Sequence, residues 1–177
     1  MSTTQTLVGH ANGPARHTAE VVARSAEEWV EGFARGWRAP GGAEAFALHF
    51  REMLAEDVRL IQPQLPAIVG RRAFEEEFVR PLFALMPDVR GEVERWAARG
   101  EELFIEMTLH GTLGGRRLSW RVCDRVTLRG GVAVERESYF DSLPLLAAVV
   151  RTPRSWPRYL RVQASRVIPQ IAKGRKK

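Results

Sequence analysis

One stretch of the sequence, residues 102–141, constrains the fold more than any other. It contains three runs in which apolar and polar side chains alternate, separated by the pairs Gly114-Gly115 and Gly130-Gly131. Alternation with a period of two is typical of a strand that buries one face. A glycine pair between two such runs is typical of a hairpin turn. The stretch therefore predicts three consecutive antiparallel strands.

Asp124 falls on the apolar side of the middle strand. The residues that share its face are Leu118, Trp120, Val122, Val126 and Leu128. A carboxylate among such side chains costs free energy unless it is protonated, ion-paired or used in chemistry. Asp124 is therefore the strongest candidate for a catalytic residue.

The last strand brings Arg136 and Ser138 to the face that carries Asp124 if a bulge follows the second glycine turn. A plain two-residue turn would place them on the other face. The apolar residues that suggest this face are Val132, Val134 and Phe140. An inward Arg136 leaves two alternatives open. It forms a buried ion pair with Asp124, or it orients an oxygen of a ligand while Asp124 transfers a proton.

The chain before these strands predicts three helices and two more strands. Helices are expected over residues 26–37, after a capping box of Ser25 and Glu28, and over 43–54. A third helix starts near Arg71, and Pro81 should bend or end it. Strands are expected over 58–62 and 91–98. Helices on one side of a curved antiparallel sheet make an α+β fold, a cone-shaped barrel with a pocket.

Length and composition predict one globular domain with extensions at both ends. The chain has 177 residues, of which 45% are apolar, enough for one core. We expect residues 1–24 to be disordered, 25–142 to form the cone, and 143–177 to form a basic, partly helical tail. The sequence has neither an apolar run of about 18 residues nor a secretory signal, which predicts a cytoplasmic protein. The lone cysteine, Cys123, has no partner for a disulfide or a metal cluster, and we expect no metal.

The net charge of +6 belongs to the tail. Nine basic side chains and no acidic one follow Asp141, and the rest of the chain carries 18 basic against 21 acidic side chains. The tail is interpreted first as a packed helix with a basic end and second as a segment that binds anionic lipid. Nucleic acid is disfavoured as a partner and ranks third, because no recognisable nucleic-acid-binding module accompanies the charge.

Several segments in this order resemble the nuclear transport factor 2-like and ketosteroid isomerase superfamily, in its SnoaL-like polyketide cyclase branch, to which limonene epoxide hydrolases are related. The segments are EDVRLIQP, GRRAFEEEF, MPDV, GEVERW, RGG and SYFD. The resemblance covers roughly residues 25–142. It implies a cone-shaped fold, and function varies widely on that fold.

The resemblance assigns Asp124 to the column of the functional aspartate in cyclases and isomerases, where it transfers a proton or donates a hydrogen bond to an oxyanion. In the epoxide hydrolase branch an Arg-x-Asp pair and a further Asp do the chemistry. The corresponding positions here are Met107, Leu109 and Ser138. Epoxide hydrolysis is therefore disfavoured.

The preferred hypothesis is a cofactor-free isomerase or cyclase that acts on an apolar, carbonyl-containing ring compound. Asp124 is its acid/base, and the substrate-binding candidates are Arg136, Trp120, Gln62, Ser138, Phe50 and Phe33. The rival hypothesis is a non-catalytic small-molecule-binding or protein-interaction domain of the same fold. Pairing of Leu109 with Trp120 and of His110 with Ser119 would put His110 on the outer face, away from Asp124. That face also carries cross-strand charge pairs, and we expect a homodimer through it.

Overall fold

The structure, a computed structural model, describes residues 14–63 and 65–151. Its helices are α1 (Pro14–Arg38), α2 (Ala43–Arg51), α3 (Arg71–Ala73), a π-helical segment (Phe74–Val79), α4 (Arg80–Leu85) and α5 (Leu143–Val150). Its strands are β1 (Leu54–Ile61), β2 (Ile68–Val69), β3 (Arg90–Arg99), β4 (Glu102–Leu113), β5 (Arg116–Arg129) and β6 (Val132–Tyr139). The predicted α+β fold is confirmed.

The six strands form one curved, open sheet in the order β2-β1-β6-β5-β4-β3. Strands β3 to β6 follow one another as an antiparallel meander, as the sequence predicted. Strand β1 differs, because it pairs with β6 in parallel. The first glycine turn sets the predicted register, with Leu109 opposite Trp120 and His110 opposite Ser119.

Helix α1 packs its apolar side on the concave face of this sheet. Its buried residues recur at helical spacing and are Ala26, Trp29, Val30, Phe33 and Trp37. Gly91 on β3 lets the helix approach, since a Cβ atom there would lie 3.2 Å from Cβ of Trp37 and 2.4 Å from Cε of Met107. The helices and the sheet thus share one core.

Helix α1 begins earlier than the sequence predicted. Residues 14–24 are helical, and Ser25 lies inside the helix rather than capping its start. Pro14 suits a first helical position, and the alanines, arginines and glutamate that follow are good helix formers, which a reading based on apolar periodicity overlooks. Residues 1–13 lie outside the described part of the chain.

Helix α2 ends at Arg51, and β1 takes over at Leu54, four residues before the predicted strand start at Val58. Backbone pairing decides this boundary. The amide of Ala133 on β6 donates to the carbonyl of Met53, at 2.9 Å, and Leu54 is the register partner of Ala133. A sheet contact between distant segments therefore overrides the local helical pattern.

Pro81 was predicted to bend or end the third helical stretch, and it does not end it. The π-helical segment Phe74–Val79 immediately precedes it, and α4 starts at Arg80 with the proline in its first turn. A proline lacks an amide proton and crowds the preceding turn, and the wider π turn is one way for a helix to absorb that misfit. The chain therefore stays helical as far as Leu85.

No helix in residues 14–63 and 65–151 is both long and apolar enough to cross a membrane. The part of the predicted basic tail that follows residue 151 lies outside the described residues.

Candidate functional site

Asp124 lies on the concave face of the sheet with no solvent exposure. The alternation along β5 places it there, between Val122 and Val126, which are also buried. Its neighbours across the sheet are Ile105 on β4 and Ser138 on β6. The sequence prediction that this carboxylate faces inward is confirmed.

A bulge in β6 brings Arg136 and Ser138 to the same face. The strand starts in the register of a plain two-residue turn, with Leu128 opposite Ala133, and then shifts, so that Thr127 lies opposite Glu135. Val134 is the extra residue at this shift. The predicted bulge is thus confirmed. The prediction that Val132 and Val134 face inward is wrong, because Ala133 is the buried residue of this segment.

Without the bulge, the continued register would place Glu135 and Glu137 opposite Val126 and Asp124 on the inner face. Three carboxylates would then share a buried surface, which is costly without compensating cations. With the bulge, both glutamates lie on the outer face and form ion pairs with Arg125, and the distance from Arg125 to Glu137 is 2.7 Å. One extra residue therefore determines the charge of the concave face.

Arg136 and Asp124 form a buried ion pair. The Nη2 and Nε atoms of Arg136 lie 2.7 and 2.9 Å from the same carboxylate oxygen, Oδ2. The second oxygen, Oδ1, is buried and has no hydrogen-bond partner within the part of the chain that the structure describes. One oxygen of the carboxylate is thus held by the protein, and the other is left for water or a ligand.

The guanidinium of Arg136 is enclosed by aromatic rings. Its Cζ atom lies 5.5 Å from the ring centroid of Phe33 and 5.7 Å from those of Trp37 and Phe78. These are cation–π distances, and the attraction is stronger where water is excluded. The cage holds the arginine in place and thereby fixes the orientation of Asp124.

Two more buried polar atoms near this pair have no partner among the described residues, Nε2 of Gln62 and Nε1 of Trp37. Gln62 follows Ile61, whose partner in the parallel pairing is Glu137, so Gln62 lies beside Ser138. The Trp37 ring is one wall of the aromatic cage. Both donors thus have hydrogen-bonding capacity to spare, Trp37 against Arg136 and Gln62 one register step after the pair of Ile61 and Glu137.

The other predicted site residues lie in the same core, Trp120 on the concave face of the sheet and Phe50 on α2. Trp120 is buried opposite Leu109, nearer the end of β5 at which the strand begins. Phe50 packs edge-on against Phe33, at 5.8 Å between ring centroids, and so supports the cage without touching Arg136. Sequence reasoning missed Trp37 and Phe78 as neighbours of the arginine. Their helical spacing indicated only that they face the core.

An apolar groove of about 220 Å³ lies at the end of the sheet where Gln62 is found. Pro63 contributes to it directly after Gln62, and Leu118 contributes from the start of β5. The remaining lining residues are Leu65, Leu85, Met86, Leu113, Ser142, Leu145, Leu146 and Val149. The groove offers an apolar surface that begins next to Gln62 in the chain, although Asp124 does not line it.

His110 lies on the outer face, as predicted. It contributes to a second cleft, of about 590 Å³, together with Asp88, Arg90 and Thr112. There Asp88 accepts hydrogen bonds from the amide and hydroxyl of Thr112, at 2.8 and 2.6 Å. His110 is therefore separated from Asp124 by the thickness of the sheet.

Burial raises the pKa of the Cys123 thiol, and the neighbouring charge of Asp124 raises it further. The thiol is half-buried on the outer face, and the raised pKa keeps it protonated and unreactive near neutral pH. The interpretation of Cys123 as a residue without a chemical role is consistent with this environment.

Residues 26–136 match the family model of the SnoaL-like domain. No curated protein matches the sequence. Many solved structures share the fold, and three of them serve as examples. A protein assigned as a SnoaL-like polyketide cyclase from Jannaschia sp. CCS1 is 20% identical, with 80% of this chain and 97% of that chain covered and a TM-score of 0.62.

The second structure is AclR from Streptomyces galilaeus, assigned as a hydroxylase, with 15% identity, 73% of this chain and 98% of that chain covered and a TM-score of 0.59. The third is an LEH-like epoxide hydrolase from M. tuberculosis, with 21% identity, 82% and 97% covered and a TM-score of 0.53. At these identities the likeness concerns the fold alone, since this fold carries several chemistries.

Proposed function

Because the chain belongs to the SnoaL-like domain family, we propose that it is a cofactor-free isomerase- or cyclase-like enzyme. Its substrate is an apolar ring compound that contains a carbonyl group, and its chemistry is proton transfer by Asp124. One observation carries this proposal: Oδ1 of Asp124 is buried and has no partner among the described residues, while Arg136 holds the other oxygen.

A buried carboxylate oxygen without a partner is costly. The cost is recovered when a proton donor of a ligand lies against that oxygen. Arg136 binds Oδ2 at two points and is itself enclosed by rings, so Oδ1 has a fixed direction. A fixed acceptor on an apolar face is the arrangement that a general base requires.

In the proposed step Asp124 Oδ1 accepts a proton from the carbon next to the substrate carbonyl. The C–H electron pair forms the enolate carbon–carbon double bond, and the carbonyl π electrons move to the oxygen. In an isomerisation the carboxyl group returns the proton to another carbon. In a cyclisation the enolate carbon attacks a second carbonyl of the same molecule, and the proton goes to the new alkoxide.

One side-chain amide and one indole have N–H groups that suit the negative charge developing on the substrate oxygen. Nε2 of Gln62 and Nε1 of Trp37 are hydrogen-bond donors without acceptors among the described residues. Donors that are already in place stabilise an oxyanion without having to reorganise, which is the largest contribution in many enzymes. In the proposal they bind the enolate oxygen, while Ser138, Trp120 and Phe33 contact the rest of the ring system.

The epoxide hydrolase alternative has less support. The three positions that the resemblance assigned to that chemistry, Met107, Leu109 and Ser138, all face inward, but none is ionisable. The inner-face charges come instead from Asp124 and Arg136, on two other strands.

A non-catalytic binding domain is the second candidate, and one observation favours it. Asp124 is already ion-paired, and it lines neither the apolar groove beside Leu118 nor the cleft beside His110. A buried ion pair can serve specificity of folding alone. Under this hypothesis the protein binds apolar rings but moves no proton.

One experiment separates the two candidates. The bicyclic ketone 2-tetralone is titrated against tryptophan fluorescence, and deuterium uptake at its α-carbons in D2O is followed by mass spectrometry. The enzyme hypothesis expects catalysed uptake that falls at least about 100-fold in Asp124→Asn, the size typical of a general base. The matched control Asp88→Asn changes a carboxylate on the outer face and should leave uptake unchanged.

Binding of the ketone without catalysed uptake would favour the non-catalytic candidate. Uptake that is equal in the wild type and in Asp124→Asn would remove Asp124 as the base. Absence of both binding and uptake for a panel of mono-, bi- and tricyclic ketones would overturn the substrate class.

A further inference from the structure

Helix α5 presents an exposed apolar stripe. Leu143, Leu146 and Val150 have exposed fractions of 66%, 44% and 59%. Their spacing of three and four residues places them on one side of the helix. The opposite side faces the core, where Ala148 is buried and Leu145 and Val149 pack against the domain. The stripe is therefore not the core-facing side of the helix.

The stripe adjoins the most basic part of the chain. Helix α5 ends at Val150, and the first of the nine basic residues is Arg151, which is exposed. Asp141 is the last acidic residue, so no negative charge offsets these cations in the sequence that follows. The rest of the chain has a net charge of −3. The basic part of the sequence thus begins directly after an exposed apolar helix.

We propose that α5 docks on an anionic lipid surface, with Leu143, Leu146 and Val150 entering the interface and Arg151, the first residue of the basic run, binding the headgroups. The chemistry of this partner is specific. An anionic bilayer offers apolar chains below a negatively charged surface, and it matches an apolar stripe beside clustered cations. A nucleic acid would match the charge but leave the three aliphatic side chains in water.

The energetics require both parts. Three half-exposed aliphatic side chains offer little apolar area, and a basic segment alone binds weakly at physiological salt. Electrostatic attraction adds to apolar insertion, so two moderate contributions produce stable docking. The electrostatic part weakens with salt, because the screening length falls from about 10 Å at 0.1 M to about 3 Å at 1 M.

The test is co-sedimentation of the full chain with vesicles of phosphatidylcholine alone or mixed with phosphatidylglycerol, each at two salt concentrations. The variant Leu143→Gln/Val150→Gln changes the stripe but not the groove, since neither residue lines it. Leu48→Gln is the matched control, an aliphatic residue on α2 with an exposed fraction of 63%. Melting temperatures are measured for every variant.

The proposal expects binding to the phosphatidylglycerol vesicles that weakens with salt. It also expects binding to fall at least about tenfold in the stripe variant, because each inserted side chain contributes through its apolar area, and to stay unchanged in Leu48→Gln. Three outcomes would overturn it: no binding to anionic vesicles, equal binding by the wild type and the stripe variant, or tighter binding to a short DNA duplex. A large fall in melting temperature of the stripe variant with unchanged vesicle binding would also overturn it, because protein would then cover the stripe.

Discussion

Arg136 donates a hydrogen bond from Nε to Oδ2 of Asp124, at 2.9 Å, and its Nη2 lies 2.7 Å from the same oxygen. The usual side-on pairing of arginine with a carboxylate uses both oxygens. Here the second oxygen is buried and has no partner among residues 14–63 and 65–151. The ion pair is therefore neutral in charge but incomplete in hydrogen bonding.

Removal of one member of this ion pair should destabilise the protein more than removal of both. Arg136→Met leaves a buried carboxylate without its cation, and we expect the free energy of unfolding to fall by about 3–5 kcal/mol. The double variant Asp124→Leu/Arg136→Met removes both charges and should recover most of that loss. Urea denaturation of the wild type, both single variants and the double variant measures the coupling. A double variant as unstable as the sum of its single variants would contradict this expectation.

The bulge at Val134 should be indispensable. Deleting Val134 restores the plain register, turns Arg136 and Ser138 outward and brings Glu135 and Glu137 onto the inner face. We expect this deletion to abolish folding, because Glu135 and Glu137 would be buried without partners and Asp124 would lose Arg136. Val134→Ala keeps the bulge and should cost at most about 1 kcal/mol. Circular dichroism of both variants tests this; a deletion variant with a native melting curve would contradict it.

Two glycines of α1 should respond oppositely to alanine. Each substitution gains up to about 1 kcal/mol of helix propensity. At Gly36 the new Cβ would lie 2.5 Å from the His49 ring and 2.7 Å from the Phe50 ring, an overpacking that costs about 1–3 kcal/mol. At Gly32 it would meet the ends of two flexible side chains, Met53 at 3.1 Å and Arg35 at 3.7 Å.

We therefore expect Gly36→Ala to lower the melting temperature and Gly32→Ala to leave it unchanged or raise it. His49 strengthens the argument, because its Nε2 is hydrogen-bonded to the carbonyl of Gly32 at 2.8 Å and its ring is therefore not free to move aside. Equal melting temperatures for the two variants would show that α2 shifts readily against α1.

The Asp88 carboxylate should make stability depend on pH. A hydrogen bond from the Thr112 side chain lowers the pKa of Asp88, outweighing desolvation, which raises it. A depressed pKa stabilises the folded state above the unfolded-state value of about 3.9, and the contribution is lost as pH falls through the lower folded-state value.

Asp88→Asn should thus destabilise the protein by about 1 kcal/mol at pH 7, a discounted figure because the side chain is largely solvated. The difference between wild type and variant should shrink as the pH falls through the folded-state pKa. Urea denaturation at a series of pH values measures it, with Asp57→Asn, another exposed carboxylate, as the control. A difference that is independent of pH would contradict this account.

We propose that the outer face of the sheet forms a homodimer. Phe104 and Tyr139 are exposed there, and Arg125 lies between the strands that carry them, ion-paired with Glu137. A stable interface would bury at least about 1,000 Å² in total. Analytical ultracentrifugation should give a dimer for the wild type and a monomer for Phe104→Arg/Tyr139→Arg, with Val69→Arg on β2 as the exposed control. A monomeric wild type at micromolar concentration would refute the proposal.

The glycine turns, the three long strands and the inward position of Asp124 follow from the sequence alone. They depend on a local relationship, the period of two, which fixes the facing of every residue once the turn is known. The register of Leu109 with Trp120 and the outer position of His110 follow from the same relationship. The ion pair of Arg136 with Asp124 was one of two alternatives that this local reasoning left open.

Tertiary structure decided the rest. The early start of β1 depends on its pairing with β6. The helix continues past Pro81 with a π turn before it. One bulged residue decides which side chains of β6 face inward. The aromatic cage of Phe33, Trp37 and Phe78 combines α1 with the π-helical segment around an arginine of β6. Sequence periodicity reports which side of an element is apolar, but not which distant element that side meets. The hydrogen bonding of Asp124 Oδ1 depends on such contacts between distant elements, because the energy of a buried charge depends on all the groups that surround it.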